Sequence, residues 1–115
     1  MVTKSATLTC SRYSEGGGIM AKFEIGQLVA TRGVHDLMRE NPGFSHFAQS
    51  AFLKYRRCDW GDTCESDKAQ NDNAVANGDD RILAVYDHPD HPDWKIWIIT
   101  ECDRSATTLL FPSEY

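Results

Sequence analysis

The C-terminal residues 95–115 constrain the fold more than any other stretch, because they contain the densest β-branched and aromatic run of the chain. A polar turn at 103–105 divides this stretch into two runs of strand length, and this pattern predicts a β-hairpin. The first run is apolar on both faces, with the side chains of Ile96, Trp97, Ile98 and Ile99. Such strands are usually central in a sheet, so we expect the rest of the chain to cover the hairpin.

The first predicted strand and helix lie on either side of a glycine. Apolar residues in the segment 27–32 predict a strand, which we expect Gly33 to end. Apolar side chains at helical spacing then predict a short helix of about two turns over 34–40.

The clearest helical pattern follows directly. Asn41 offers a capping oxygen and Pro42 suits the first turn of a helix, so a new helix is predicted to begin here and to run over 42–57. Its apolar face consists of Phe44, Phe47, Ala48, Ala51, Phe52 and Tyr55. We expect this aromatic face to cover the C-terminal hairpin.

A third, polar helix is predicted over 63–76. Asp62 and Glu65 have the spacing of a capping box, and Asn77-Gly78 is a typical helix end. Few apolar side chains lie between these signals, so most of this helix should face water.

A further strand is predicted over 82–86, followed by a turn over 87–93, where two prolines oppose regular structure. The sequence therefore predicts one small α+β domain. Its antiparallel sheet consists of a C-terminal three-stranded meander and an N-terminal strand, packed on two to three helices.

Residues 1–19 show neither helical nor strand periodicity, and Glu15 to Ile19 read like the translation of a purine-rich ribosome-binding site before Met20. We therefore expect 1–19 to be a disordered tail or a misassigned start, and 20–115 to be the domain.

Charge is distributed very unevenly along the chain. Its net value is −5, yet residues 20–57 carry six basic and three acidic side chains, and residues 59–93 carry two basic and ten acidic ones. The resulting local charges, +3 and −8, argue against direct nucleic-acid binding and permit binding to a basic protein surface. A solvated acidic face explains the same pattern.

No apolar run approaches the length of a membrane helix and no secretory signal is evident, so we expect a cytoplasmic protein of a bacterium without membrane contact. For a protein of that compartment, the four cysteines predict reduced side chains rather than a disulfide framework. No motif indicates a cofactor.

Four side chains are candidate metal ligands, namely Cys58, Cys64, His88 and His91. Their spacing does not match a common zinc site, so the sequence predicts no metal centre. Cys102 is a poor nucleophile candidate, because the neighbouring Glu101 and Asp103 oppose formation of a thiolate. No catalytic residue is predicted.

The acidic helix and the turn before it contain the candidate partner-binding residues Asp59, Trp60, Asp62, Glu65, Asp67 and Asp72. The acids could imitate the charges of a nucleic acid and steer binding to a basic partner, with Trp60 as an apolar anchor. Alternatively, Trp60 belongs to the core. A third interpretation is a metal-dependent enzyme that uses the same carboxylates.

Two runs of the sequence are familiar in combination. They are Asp59-Trp60-Gly61-Asp62-x-Cys64-Glu65-x-Asp67-Lys68-x-x-Asn71-Asp72 and the C-terminal segments 95–108 and 110–115. Together with residues 23–33, they resemble a family of small bacterial proteins labelled plasmid-related, which conjugative elements and phages carry. The resemblance covers 20–115 and assigns no activity to particular residues.

The resemblance implies a context, since accessory proteins of mobile elements often block host defences such as CRISPR nucleases and restriction enzymes. We therefore expect a non-catalytic binding protein that inhibits such a nuclease. The alternative is an accessory or regulatory factor in plasmid maintenance or transfer that acts through a protein partner.

Overall fold

The apolar C-terminal stretch forms the two strands at the middle of the sheet. The computed structural model describes residues 6–7, 23–78 and 80–115. Its strands are β1 (Ala6–Thr7), β2 (Gln27–Ala30), β3 (Ile82–His88), β4 (His91–Thr100) and β5 (Ala106–Leu110). They form one sheet in the order β1-β2-β5-β4-β3, so β4 and β5 are both flanked by other strands, as predicted.

Three α-helices and a short 3₁₀ helix complete the described fold. They are α1 (Arg32–Glu40), α2 (Pro42–Arg56), α3 (Glu65–Asn77) and the 3₁₀ turn Pro112–Glu114. The predicted α+β class is therefore confirmed. Of the segment 1–19, the structure describes only Ala6–Thr7, which pair antiparallel with β2. The expectations for the rest of that segment lie outside the described residues.

The sheet is mixed, whereas the sequence predicts antiparallel pairing throughout. β3, β4 and β5 form the expected antiparallel meander, but β2 runs parallel to β5, with Val29 opposite Thr108. The chain between β2 and β5 contains three helices and two strands, and its path decides which way β2 points. Local periodicity carries no information about that direction.

Helix α1 begins at Arg32, one residue before Gly33. Gly33 therefore lies inside the helix and does not mark the end of the preceding strand. The Gly33 N–H donates to a carboxylate oxygen of Glu114 at 3.0 Å. A Cβ at this position would lie 2.5 Å from that same oxygen. Gly33 thus allows the Glu114 side chain to lie close to the first turn of α1.

The predicted turn over 87–93 is shorter than expected, because both strands extend into it. His88 and His91 pair across the β3–β4 ladder, and the register shifts between this pair and Tyr86 opposite Ile96. Pro92 falls in the resulting bulge on β4, where the ladder needs no N–H from it.

The main core lies between α2 and one face of the sheet. Helix α2 contributes Phe44, Ala48, Ala51, Phe52 and Tyr55, all of which are buried, to this core. From the sheet, Ala84, Ile98 and Leu109 are also at most 3% exposed. The expected cover of the hairpin by the aromatic face of α2 is confirmed.

A chain of hydroxyl hydrogen bonds crosses this core. Tyr55 Oη lies 2.7 Å from Thr100 Oγ1, which lies 2.7 Å from Thr107 Oγ1, and Thr107 donates to the Ile25 carbonyl. Because each hydroxyl has a single proton, Thr107, which donates to Ile25, accepts from Thr100, and Thr100 accepts from Tyr55. The Ile82 carbonyl, 3.3 Å from Tyr55 Oη, is a second acceptor for the tyrosine proton. Burial raises the pKa of Tyr55 well above its ordinary value.

In the described part of the chain, none of the helices combines the length and apolar character needed to cross a membrane.

Candidate functional site

The exposed side chains of α3, the preceding 59–64 loop and the β3–β4 tip form one strongly acidic region, which we call the acidic surface. Its exposed carboxylates belong to Asp59, Asp62, Glu65, Asp67, Asp72, Asp80, Asp87, Asp90 and Asp93. In the basic segment 20–57, the exposed cations lie on α1, on α2 and on the residue after α2. They are Arg32, Arg39, Lys54 and Arg57. The asymmetry predicted from the sequence is therefore present among exposed side chains.

Strand β3 lies at an edge of the sheet, and the 59–64 loop occupies its outward backbone groups. The Val85 N–H donates to Thr63 Oγ1 at 2.9 Å, and the Val85 carbonyl accepts from the Asp62 N–H at 2.8 Å. The Asp62 carboxylate accepts from the Asp87 N–H at 2.8 Å. An exposed strand edge can pair with other chains, so these contacts protect it.

Asn71, in the middle of α3, extends this protection along the strand. Its side-chain amide donates to the Leu83 carbonyl at 2.8 Å and accepts from the Leu83 N–H at 3.3 Å. The residue is only 4% exposed. α3 is thus held against β3 by a polar side chain, which explains how a helix with so few apolar residues can pack.

The predicted role of Asp62 in capping α3 is wrong. The N-cap position is Cys64, and the carboxylate of Asp62 instead serves the β3 edge. The predicted helix end is correct, since Gly78 adopts φ 75° and its N–H donates to the Ala74 carbonyl.

Trp60 is a core residue and not an exposed anchor, because only 4% of it is accessible. Its ring packs edge-on against Tyr55 at 5.5 Å between centroids, and its indole N–H donates to the Asp72 carboxylate at 2.9 Å. Trp60 therefore cannot offer an apolar contact to a partner, and Asp72 has a structural role beside it.

The 59–64 loop is anchored to β3 by a buried tyrosine. Tyr86 donates its hydroxyl proton to the Asp59 carbonyl at 2.8 Å, and burial raises the pKa of Tyr86 far above its ordinary value. Gly61 adopts φ 62°, and a Cβ there would lie 2.5 Å from the Tyr86 ring. A glycine is needed where the loop passes this ring.

Glu65 and Asp67 remain as exposed acids in the first turn of α3. Glu65 approaches Lys68 at 3.4 Å in an exposed ion pair, which contributes little to stability. The Asp67 carboxylate makes no hydrogen bond or ion pair within residues 23–78 and 80–115. These two carboxylates are therefore available to a partner.

A shallow polar cleft opens beside Asp67. It has a volume of about 260 Å³ and is lined by Asp67, Gln70, Asn71, Asp80, Arg81 and Leu83. The cation at its rim is directed elsewhere, because Arg81 donates to the Tyr115 hydroxyl at 3.0 Å. The cleft therefore presents carboxylates that its own arginine does not neutralise.

The candidate metal ligands do not assemble into one centre. Cys58 packs against the core, while Cys64 is exposed with its sulfur 3.6 Å from Ser66 Oγ. His88 and His91 do meet, with ring centroids 5.0 Å apart. Within the described residues, no group of three His, Cys, Asp or Glu side chains is arranged to hold a metal ion.

Three residues that organise the acidic surface were not predicted from the sequence. Thr63 and Asn71 bind the β3 edge, and Arg104 donates to the Ala74 carbonyl at 2.9 Å and to the Asp80 carbonyl at 2.6 Å. An asparagine near the middle of a helix is the one available signal, because its amide usually favours caps and turns over helix interiors.

The β4–β5 turn has a structural role through this arginine. Arg104 adopts φ 61° and ties the turn to the C-terminal end of α3. Within the turn, hydrogen bonds from Ser105 lower the pKa of the Asp103 carboxyl. These contacts account for the polar residues that divide the C-terminal stretch into two strands.

Comparison with protein-family models, with curated proteins and with solved structures found no match to this chain.

Proposed function

We propose that this protein is a non-catalytic accessory protein of a bacterial mobile element. In the host cytoplasm, it binds and inhibits a defence nuclease of the CRISPR or restriction type through its acidic surface. The observation that carries the proposal is the exposure of Glu65 and Asp67 on the acidic surface, in the first turn of α3.

The physical basis is charge complementarity. Nucleases bind nucleic acid in clefts lined with lysine and arginine, because most contacts go to phosphates. Exposed carboxylates at the first turn of a helix can enter such a cleft, and long-range attraction accelerates the encounter. The basic side chains on α1 and α2 orient the molecule, since they repel the same cleft.

The contacts described above divide the acidic residues into two groups. Asp62 and Asp72 bind groups of the protein itself, whereas Glu65 and Asp67 are exposed and nearly unpaired. We assign partner binding to Glu65 and Asp67. Asp59 is also exposed, but its carboxylate accepts from the Gly61 N–H at 3.2 Å. Trp60 is withdrawn from the proposed contact because it is buried.

This division also weighs against the metal-dependent enzyme. Asp62 and Asp72 are committed to contacts within the protein, and among the described residues no three His, Cys, Asp or Glu side chains are arranged to hold a metal ion. An accessory factor in plasmid maintenance or transfer could use the same surface, but no contact of the described residues favours that alternative.

A plasmid-interference assay tests the proposal. Cells that carry a CRISPR nuclease or a restriction enzyme are transformed with a targeted plasmid, with and without this protein. The proposal predicts that the protein restores transformation in at least one nuclease background. The variant Glu65→Gln with Asp67→Asn should lose at least about tenfold of that effect, which corresponds to roughly 1.4 kcal/mol of binding.

The matched control is Glu24→Gln with Glu40→Gln, which removes the same two charges from exposed positions outside the acidic surface. It should protect the plasmid as well as the unchanged protein does. Failure to protect in every nuclease background, or equal loss in both double variants, would refute the proposal.

A further inference from the structure

The tip of the β3–β4 hairpin brings two histidines into register. His88 and His91 are directly opposed in the ladder, and their ring centroids are 5.0 Å apart. In the sequence they sit among prolines in what is predicted to be a loop. In the structure the ladder continues to this pair, so the backbone places the two histidines opposite each other.

From this pair we infer a zinc-binding site that is independent of the proposed nuclease inhibition. His88 and His91 supply two nitrogen ligands to one Zn²⁺ ion, and water completes the coordination shell. Imidazole nitrogen is a preferred ligand of zinc. Cross-strand neighbours on a closed hairpin need little reorganisation to bind the same ion.

The ring separation matches the geometry of such a site. With a zinc–nitrogen bond of about 2.0–2.1 Å and tetrahedral angles, two imidazoles on one ion have centroids roughly 5 Å apart. The observed centroid distance of 5.0 Å, with an interplanar angle of 61°, is compatible with this value.

Neighbouring aromatic rings hold both imidazoles in place. His91 stacks on Trp94 with a centroid distance of 4.0 Å and an interplanar angle of 16°. His88 contacts Phe47 of α2 edge-on at 5.2 Å and Trp94 at 5.0 Å. Ligands fixed by packing lose less rotamer freedom when they bind an ion.

The charge around the tip favours a dication. Asp87, Asp90 and Asp93 are exposed on the same hairpin, and one cation, Lys95, approaches Asp87 at 3.6 Å. The absence of a third ligand within the described chain leaves open positions on the ion. Such a site is weaker than a closed structural zinc centre.

Binding requires one local change, which gives the site a distinctive signature. Nδ1 of His88 accepts a hydrogen bond from the Asp90 N–H at 3.1 Å, so its proton resides on Nε2 in the free protein. When zinc binds Nε2, the proton moves to Nδ1. The exposed Asp90 N–H then loses its acceptor on His88 and hydrogen-bonds to water instead. The Asp90 amide therefore reports on zinc bound at His88.

The test is a Zn²⁺ titration of the full chain followed by residue-resolved NMR of backbone amides and imidazole nitrogens. We expect saturable shifts at His88, His91 and the Asp90 amide. His88→Gln and His91→Gln should each weaken this binding by about tenfold or more, since a direct ligand contributes at least as much as the outer-shell groups.

The control is His35→Gln with His46→Gln, which removes the other two histidines of the chain, on α1 and α2. It should leave the titration unchanged. Because His91 is exposed, its substitution tests the site without disturbing the core. Shifts confined to the cysteines, no saturable shift, or unaltered shifts at the Asp90 amide in His91→Gln would each overturn the inference.

Discussion

Individual polar side chains in the acidic surface have defined structural partners. Asn71 shows this most clearly, because one amide binds both backbone groups of Leu83. Composition alone would assign it to a solvated helix face. The structure separates such residues from those that remain available to a partner.

We predict that Asn71→Ala lowers the free energy of unfolding by about 2 kcal/mol, because two backbone groups of the β3 edge lose their partner. Asn73→Ala, an exposed position on the same helix, should change it by less than about 0.5 kcal/mol. Urea denaturation measures both values. Similar values for the two variants would show that Asn71 does not hold α3 against the sheet.

The two buried tyrosines make stability sensitive to high pH. Burial raises the pKa of Tyr55 and Tyr86 in the folded protein, whereas an unfolded chain ionises at about 10. The folded state therefore keeps its protons while the unfolded state loses them. The contribution of these tyrosines to the free energy of unfolding is fully present below a pH of about 10. Above that pH it falls by about 1.4 kcal/mol per pH unit for each tyrosine.

Thermal unfolding between about pH 8 and pH 11 measures this effect. Tyr86→Phe should reduce the slope of stability against pH in the alkaline range, although it also removes a hydrogen bond to the Asp59 carbonyl. Tyr115→Phe is the control, since Tyr115 is 58% exposed. An unchanged slope in Tyr86→Phe would contradict the assignment.

Among the elements, the C-terminal 3₁₀ turn has a larger role than its length indicates. The Glu114 carboxylate accepts hydrogen bonds from the Thr31 hydroxyl at 2.5 Å, the Gly33 N–H at 3.0 Å and the Phe111 N–H at 3.0 Å. It thereby caps α1 from a position 81 residues away in the sequence. A negative charge at a helix N-terminus is also favourable electrostatically.

We predict that Glu114→Ala lowers the free energy of unfolding by about 2–3 kcal/mol, because three donors lose a charged acceptor. Ser113→Ala, which is exposed in the same turn, should have little effect. Chemical denaturation of the two variants provides the comparison. A Glu114→Ala protein as stable as Ser113→Ala would exclude the capping role.

The elements also show what a single sequence can and cannot predict. Helix α2 and the β4–β5 hairpin follow from periodicity, because apolar spacing is decided within the element itself. The direction of β2, the role of Gly33 and the edge contacts of Asp62 depend on residues distant in the chain. Trp60 is buried because its ring packs against Tyr55 of α2. The sequence pattern alone does not distinguish this buried position from an exposed one.

In the folded molecule, the predicted charge asymmetry is present among the exposed side chains, although the residues of the acidic surface have different roles. The sequence predicted one partner-binding surface of five acids, with Trp60 as its apolar anchor or as a core residue. Four of these six residues, Asp59, Trp60, Asp62 and Asp72, have structural contacts. This division could not be predicted, because an acid that caps a strand edge and an acid that faces water have the same local sequence signature.

The affinity of the protein for a defence nuclease that it inhibits, measured at about 50 mM and about 200 mM salt, tests the proposed acidic surface most directly. We predict that affinity falls as salt rises. We also predict that Glu65→Gln with Asp67→Asn weakens binding and reduces this salt dependence, while Glu24→Gln with Glu40→Gln changes neither. Binding that is insensitive to salt and equal for the two double variants would contradict the account.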